Sequence, residues 1–348
     1  MRLTTERNLE TGTPPTPASR ILILGDSTAN AARTGAMAGA ILEQLNTLAG
    51  LGGAVKLGNA GFGGYKLMDS SGSTRFLNFA DRADAQGMTD TRTIMGHLGA
   101  LDAAVVLLGA NDLADIEPAS GAVSGYDEAA VELGLTQLIA NVRAENAVNG
   151  GSATIPVVLV IPGRDRSTGK RGGGQIWRQA VVDVAALDAN VHTVETYDLS
   201  IEDSVHRDQA ADQSLGFRIG RMLARHVFSA SGIGGPPTVS TVTKTSPVSV
   251  RVVLTIPTGE TVTKPTWVAG WRATDTHDET GLRIARIEWV DSNKFDLFLH
   301  DGATGDIRIE APYDLAEGFS VDGLIRTTEA DNNHAPGFAL QTFAGIAS

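Results

Sequence analysis

Four groups of residues, met in order along this sequence, have the types needed for acyl transfer to water. Ser27 lies in Gly25-Asp26-Ser27-Thr28, directly after the apolar run Ile21-Leu22-Ile23-Leu24. A loop rich in glycine runs Gly58-Asn59-Ala60-Gly61-Phe62-Gly63-Gly64, and Asn111 stands in Gly109-Ala110-Asn111-Asp112. Asp203 and His206 close the set, within Asp203-Ser204-Val205-His206. A serine hydroxyl is a weak nucleophile until a histidine takes its proton, and the histidine needs an acid to hold its tautomer. Asp203 is close enough to His206 in sequence to reach the imidazole within one turn. The Asn111 amide, with backbone N–H groups of Ser27 and of a loop glycine, can hold the anion of a tetrahedral intermediate. This chemistry needs no metal and no cofactor.

Taken alone, Ser27 or Asp26 reads equally well as an ordinary helix cap. The elements around the four groups decide between the readings. Ile21–Leu24 has the pattern of a strand buried on both faces, and an Ala-rich helix follows to about Leu48. Further strands are expected at 54–57, 103–108, 155–161 and 191–197, with helices at 126–146, 176–187 and 209–226. Short apolar runs alternating with helices mark a parallel α/β sheet. Each of the four groups follows a strand, so all of them fall on the carboxyl edge of that sheet, where such folds bind ligands.

Composition narrows the partners. The chain has 348 residues, 42% of them hydrophobic and 20% charged, which suggests two globular domains of unequal size. A net charge of −12 disfavours nucleic acid and anionic membrane surfaces, and no apolar run approaches a membrane span. There is no cysteine, which excludes disulfides, thiolate catalysis and Cys-ligated metals. Residues 1–19, polar and rich in Pro and Thr, read as a flexible arm without the apolar core of a signal peptide. The expectation is a protein that is cytoplasmic when made, with any extracellular role reached by another route, such as a particle.

Gly25-Asp26-Ser27, Asn59 to Gly64, Gly109-Ala110-Asn111-Asp112 and Asp203-Ser204-Val205-His206 resemble the four blocks of the SGNH, or GDSL-like, hydrolase superfamily, in its order. The resemblance covers about the first two-thirds of the chain. It implies a flavodoxin-like three-layer fold, with Ser27, Asp203 and His206 as the triad. It also implies an oxyanion hole from Ser27, Asn111 and the glycine five places after Asn59, which is Gly64; Gly61 is a rival. Thr28 replaces the leucine common in lipase-type members. The last block looks more like carbohydrate acetylesterases, including sialate-type esterases. The expected function is therefore a serine esterase that removes O-acetyl groups from a surface polysaccharide. A glycan-binding adhesin of a particle, or a thioesterase or lipase of the same superfamily, is the alternative.

Gly163 to Arg171 follows a strand but is not a P-loop: its glycine spacing is one residue too long, and Arg171 stands where Ser or Thr is required. Arg164 and Arg166 of that loop, with Asp26 and Gly61, are the remaining candidates for substrate contact. Trp177, His97, His192 and His226 read as structural. Residues 231–237, Ser-Gly-Ile-Gly-Gly-Pro-Pro, have linker composition. Beyond them, β-branched runs at 248–256, 282–290, 295–299 and 307–309 suggest an antiparallel sandwich over residues 238–348, after an esterase domain over 20–230. Trp267, Trp271 and Trp289 read better as core than as a sugar platform. Asp331 to His334 reads as a loop, not a metal site. An esterase joined to such a β-region is similar in architecture to phage-particle modules; homo-oligomerisation or assembly into a particle is expected.

Overall fold

The computed structural model describes residues 19–30, 34–51, 53–67, 86–113, 127–163, 171–203, 205–312, 324–327 and 339–348. Residues 1–18 of the expected N-terminal arm, Arg164, Arg166 and the Asp331–His334 segment lie outside these residues, while Ser19, counted in that arm, opens the first strand. Five parallel strands, β1 (Ser19–Gly25), β2 (Val55–Gly61), β3 (Ala103–Leu107), β4 (Val157–Ile161) and β5 (Val191–Glu195), form one sheet in the order β2-β1-β3-β4-β5. Its helices are α1 (Gly35–Ala49), α2 (Gln86–Leu98), α3 (Glu128–Val148), α4 (Arg171–Leu187) and α5 (Gln209–His226). Side chains alternate along β1. Leu22 and Leu24 pack with α2, α3 and α4, while Ile21 and Ile23 pack with α1 and α5. The result is a three-layer α/β fold, as the strand pattern requires.

Two local differences from the sequence reading have physical causes. β2 continues through Gly58-Asn59-Ala60-Gly61, residues of low strand propensity, because β1 supplies a paired neighbour up to Gly25 opposite Gly61. The first part of the glycine loop is therefore strand. α4 begins at Arg171, five residues earlier than expected, and takes in Gly172 to Gly174; packing of Trp177, Ala180, Val181 and Val184 outweighs the cost of those glycines. α1 and α5 approach closely at Gly216, where a Cβ would overlap the Met37 carbonyl and lie 2.7 Å from the Ala40 Cβ.

Eight antiparallel strands follow: β6 (Thr238–Ser246), β7 (Ser249–Thr255), β8 (Arg272–Asp275), β9 (Gly281–Leu282), β10 (Ile284–Trp289), β11 (Lys294–Leu299), β12 (Ile307–Ala311) and β13 (Phe343–Ala347). They form two sheets, β10-β11-β7-β6 and β13-β12-β8-β9, whose inner faces share one core around Val252, Phe295, Leu297 and Ile309. The run 282–290, read as one strand, passes from one sheet to the other between Leu282 and Ile284. Trp271 and Trp289 pack against Phe295, and Trp267 is 45% exposed, so the three do not form one sugar platform.

The antiparallel region is seated on the parallel one. Tyr197 Oη donates to the Leu340 carbonyl at 2.9 Å, and the Thr342 N–H donates to Glu195 Oε1 at 2.7 Å. Arg221 faces Glu260 at 3.5 Å. Gly234 and Gly235, in the connecting stretch, are buried where a Cβ would meet Glu260 and Arg225. No helix among the described residues is long and apolar enough to cross a membrane.

Candidate active site

Ser27 opens a single 3₁₀ turn, Ser27–Ala29, at the carboxyl end of β1. The turn is built by its neighbours. Asp26 is its cap, accepting the Thr28 N–H at 2.8 Å and the Thr28 hydroxyl at 2.7 Å through Oδ1. Asp26 Oδ2 accepts the Ala110 N–H at 3.1 Å, and Asp26 N donates to Leu107, which ties the turn to the end of β3. Asp26 is 0% exposed, and burial pushes its carboxyl up against the hydrogen bonds from Thr28 and Ala110. The expectation that Asp26 touches substrate is therefore corrected: it is a buried brace.

Asn59 and Gly61 hold the turn from the other side. Asn59 Nδ2 donates to the Ala29 carbonyl at 2.8 Å, and Asn59 Oδ1 accepts the Gly61 N–H at 2.9 Å. A Cβ on Gly61 would overlap the Ala29 carbonyl and lie 2.7 Å from Asn30 N. Gly61 is thus a close-approach glycine whose N–H is already donated to Asn59, which argues against it as the oxyanion donor. Gly64 differs: it has φ +81°, is exposed and has open space around its Cβ position. It directly precedes Tyr65, whose carbonyl accepts from Asn111 Nδ2 at 3.0 Å. That bond uses one of the two hydrogens on the Asn111 amide nitrogen. Asp112 is buried and accepts the Leu67 N–H at 3.0 Å, which joins the Asn111 turn to the segment after Gly64.

The last group arrives from the segment between β5 and α5. His206 Nε2 lies 2.9 Å from Ser27 Oγ, and His206 Nδ1 lies 2.7 Å from Asp203 Oδ2. Asp203 Oδ1 accepts the backbone N–H groups of Val205 and His206 at 2.9 and 2.8 Å. Partial burial raises the Asp203 carboxyl, but those two N–H bonds and the imidazole outweigh it and hold the carboxyl down at about 2. Asp203 stays ionised, and a serine, an imidazole and a carboxylate stand in hydrogen-bonded series. Such a series can move a proton off a hydroxyl as the oxygen attacks. A cleft opens beside Thr28, lined among others by Leu108, Ala110, Leu113, Pro162 and Arg207.

The topology brings Ser27, Asn111 and the Asp203–His206 pair to one sheet edge. Asn59, Tyr65, Asp112 and Arg207 also build the site. Asn59 is visible in the sequence as the start of its block, but no sequence signal sets Tyr65 or Arg207 apart. His192 and His226, read as structural, stack on each other with ring centroids 3.6 Å apart, away from Ser27's hydrogen-bonded series.

No family model matches this sequence, and no curated protein does. Solved structures do. The chain is similar to a carbohydrate acetylesterase from Xanthomonas citri, with 13% identity and a TM-score of 0.64, over 89% of this chain and 65% of that one. It is also similar to a carbohydrate acetylesterase from Sinorhizobium meliloti, with 16% identity and a TM-score of 0.45, over 59% of this chain and 98% of that one. A third likeness is to a family 3 carbohydrate esterase from Talaromyces cellulolyticus, with 16% identity and a TM-score of 0.43, over 61% of this chain and 100% of that one. The first of these establishes a shared fold, and its 89% share of this chain extends beyond the parallel region into the antiparallel sheets. The chain spans 65% of the length of that Xanthomonas structure. Nothing in these likenesses supports a kinship with phage-particle modules.

Proposed function

We propose that this chain is a serine esterase of the SGNH type, which removes small acyl groups, acetyl above all, from carbohydrate. The observation that carries the reading is the series Ser27 Oγ–His206 Nε2–His206 Nδ1–Asp203 Oδ2, at 2.9 and 2.7 Å, on the carboxyl edge of an acetylesterase-like sheet. In this reading Ser27 Oγ attacks the ester carbonyl carbon while His206 Nε2 takes the hydroxyl proton. Asp203 keeps Nδ1 protonated and stabilises the imidazolium. The carbonyl oxygen becomes an anion that the Ser27 N–H, the Gly64 N–H and the Asn111 amide receive. His206 then passes its proton to the departing sugar hydroxyl, leaving an acyl-serine. A water, deprotonated by the same histidine, attacks the acyl carbon; the bond to Ser27 Oγ breaks, His206 returns its proton to that oxygen, and the carboxylic acid leaves, ionising in solution.

Support for a short acyl group comes from the fold shared with a carbohydrate acetylesterase, and the cleft beside Thr28 is a candidate place for it. A long-chain thioesterase or lipase needs an extended apolar groove instead. The test compares wild type with Ser27→Ala on p-nitrophenyl acetate, butyrate and octanoate, together with acetate release from acetylated polysaccharides. The expected result is turnover that needs Ser27, is highest on acetate and releases acetate from at least one polysaccharide. Equal rates for the two proteins on every ester would sink the reading, and a preference for octanoate would replace it with the lipase alternative.

A further inference from the structure

Arg207 follows His206 in the sequence and meets the turn of Ser27 in space. Its Nη2 donates to the Thr28 carbonyl at 3.1 Å, and its Nε donates to Asp212 Oδ1 at 2.8 Å. The two side chains are 8% and 7% exposed. Asp212 belongs to the first turn of α5, which Asp208 caps by accepting the Ala211 N–H. The backbone beside Arg207 is also pinned: Ile201 and Arg207 form an antiparallel bridge, and the His206 carbonyl accepts the Glu202 N–H at 2.8 Å. One residue therefore joins the two segments that must meet for a proton to pass. Its main chain holds His206, and its guanidinium holds the residue after Ser27.

We propose that Arg207 is a positioning residue, which sets the Ser27 turn in register with the His206 loop through the Thr28 carbonyl, with Asp212 as its anchor. This rests on the esterase reading of Ser27 and His206. A guanidinium suits the task because its donors are fixed in one plane, so a carboxylate on one side and a carbonyl on the other are held at a set separation. A lysine ammonium is a single mobile point of charge and cannot reproduce that fork. Arg207 also lines the cleft beside Thr28, but its Nε and Nη2 donors are directed to Asp212 and Thr28, so its loss should slow every acyl length alike.

The experiment uses the full chain as wild type, Ser27→Ala, Arg207→Lys, Arg207→Met, Asp212→Asn and the double variant Arg207→Met/Asp212→Asn. The double variant removes the buried pair together, so that no charge is left without its partner. A fluorophosphonate probe counts reactive sites and gives the rate of Ser27 labelling; p-nitrophenyl acetate and butyrate give kcat and KM per counted site. Loss of alignment should lower kcat and the labelling rate together by about 10- to 100-fold in Arg207→Met, in Arg207→Lys and in the double variant. KM should stay within about twofold on both esters, with a smaller loss in Asp212→Asn. Labelling and kcat within about twofold of wild type in Arg207→Lys and the double variant would overturn the proposal, as would a loss confined to one acyl length. Absence of Ser27-dependent labelling and turnover in the wild type would overturn the esterase reading itself, whatever the Arg207 variants do.

Discussion

Glu195, the last residue of β5, accepts the backbone N–H of Thr342 at 2.7 Å, so the edge strand of the parallel sheet ends beneath the antiparallel region. Its carboxyl is fully buried. Desolvation pushes it up to about 7, against the Thr342 hydrogen bonds and the nearby charge of Arg178. A folded-state value above the unfolded one means that the native state binds this proton more tightly. The stabilising contribution is complete below about 4.5 and is lost as pH rises toward 7, on the order of 3 kcal/mol for an isolated group. Glu195→Gln, which keeps an acceptor for Thr342 and cannot ionise, should gain stability relative to wild type between pH 5 and pH 8. Thermal midpoints of the two proteins across that range check it; a difference that does not change with pH contradicts it.

The stacked pair His192 and His226 acts in the opposite direction. Burial, then the charges of His192 and Arg225, hold the His226 imidazole down at about 4, below its ordinary 6.5. A depressed histidine stabilises the fold above 6.5, and that stability is lost as pH falls from 6.5 through 4. His226→Gln should therefore show a shallower fall in thermal midpoint than wild type over this acid range.

Asp203 is 44% exposed at its side chain, so its exchange disturbs the site more than the fold. Asp203→Asn cannot hold the same imidazole tautomer and should lower kcat on the order of 10³- to 10⁴-fold. The urea midpoint should move little. A large fall in stability with per-site kcat intact would assign Asp203 a structural role instead.

On the proposed mechanism Asn111→Ala removes one oxyanion donor, and kcat should drop on the order of 10²- to 10³-fold. Because Asn111 Nδ2 also donates to the Tyr65 carbonyl, part of that loss includes loosening of the segment after Gly64. Kinetics on acetate esters, normalised to sites that react with a fluorophosphonate, measure it.

Gly61→Ala places a methyl group against the Ala29 carbonyl, on the turn that carries Ser27. Overpacking against backbone should cost about 1–3 kcal/mol of stability and shift the turn. Gly64→Ala meets no atom of the described residues but strains a φ of +81°, at a cost of about 1–2 kcal/mol. Urea denaturation and kcat for the two variants separate the close-approach glycine from the open one.

Much of this protein is determined locally and can be read without coordinates. The run Ile21–Leu24 must be a strand buried on both faces, and α5 begins at Gln209 and ends at His226, as expected from its periodicity, with Asp208 as its cap. Ser27, Asn111 and Asp203–His206 each follow a strand, and parallel topology alone brings strand ends to one edge. Other features needed the tertiary structure. Chain pairing with β1, not propensity, extends β2 through Gly58 to Gly61. β6, β8 and β13 escape the sequence reading: β6 has the Thr and Val of a strand but no apolar run because much of it faces solvent, and β8 and β13 are short segments that need a neighbour's ladder. Asp26 and Ser27 are adjacent polar residues in the sequence; only packing under Leu107 and Ala110 buries one and leaves the other facing His206. Arg207 looks like any surface arginine until Thr28, 179 residues earlier, is folded against it. Sequence periodicity determines which residues share a face, but which buried polar groups meet depends on contacts between distant segments.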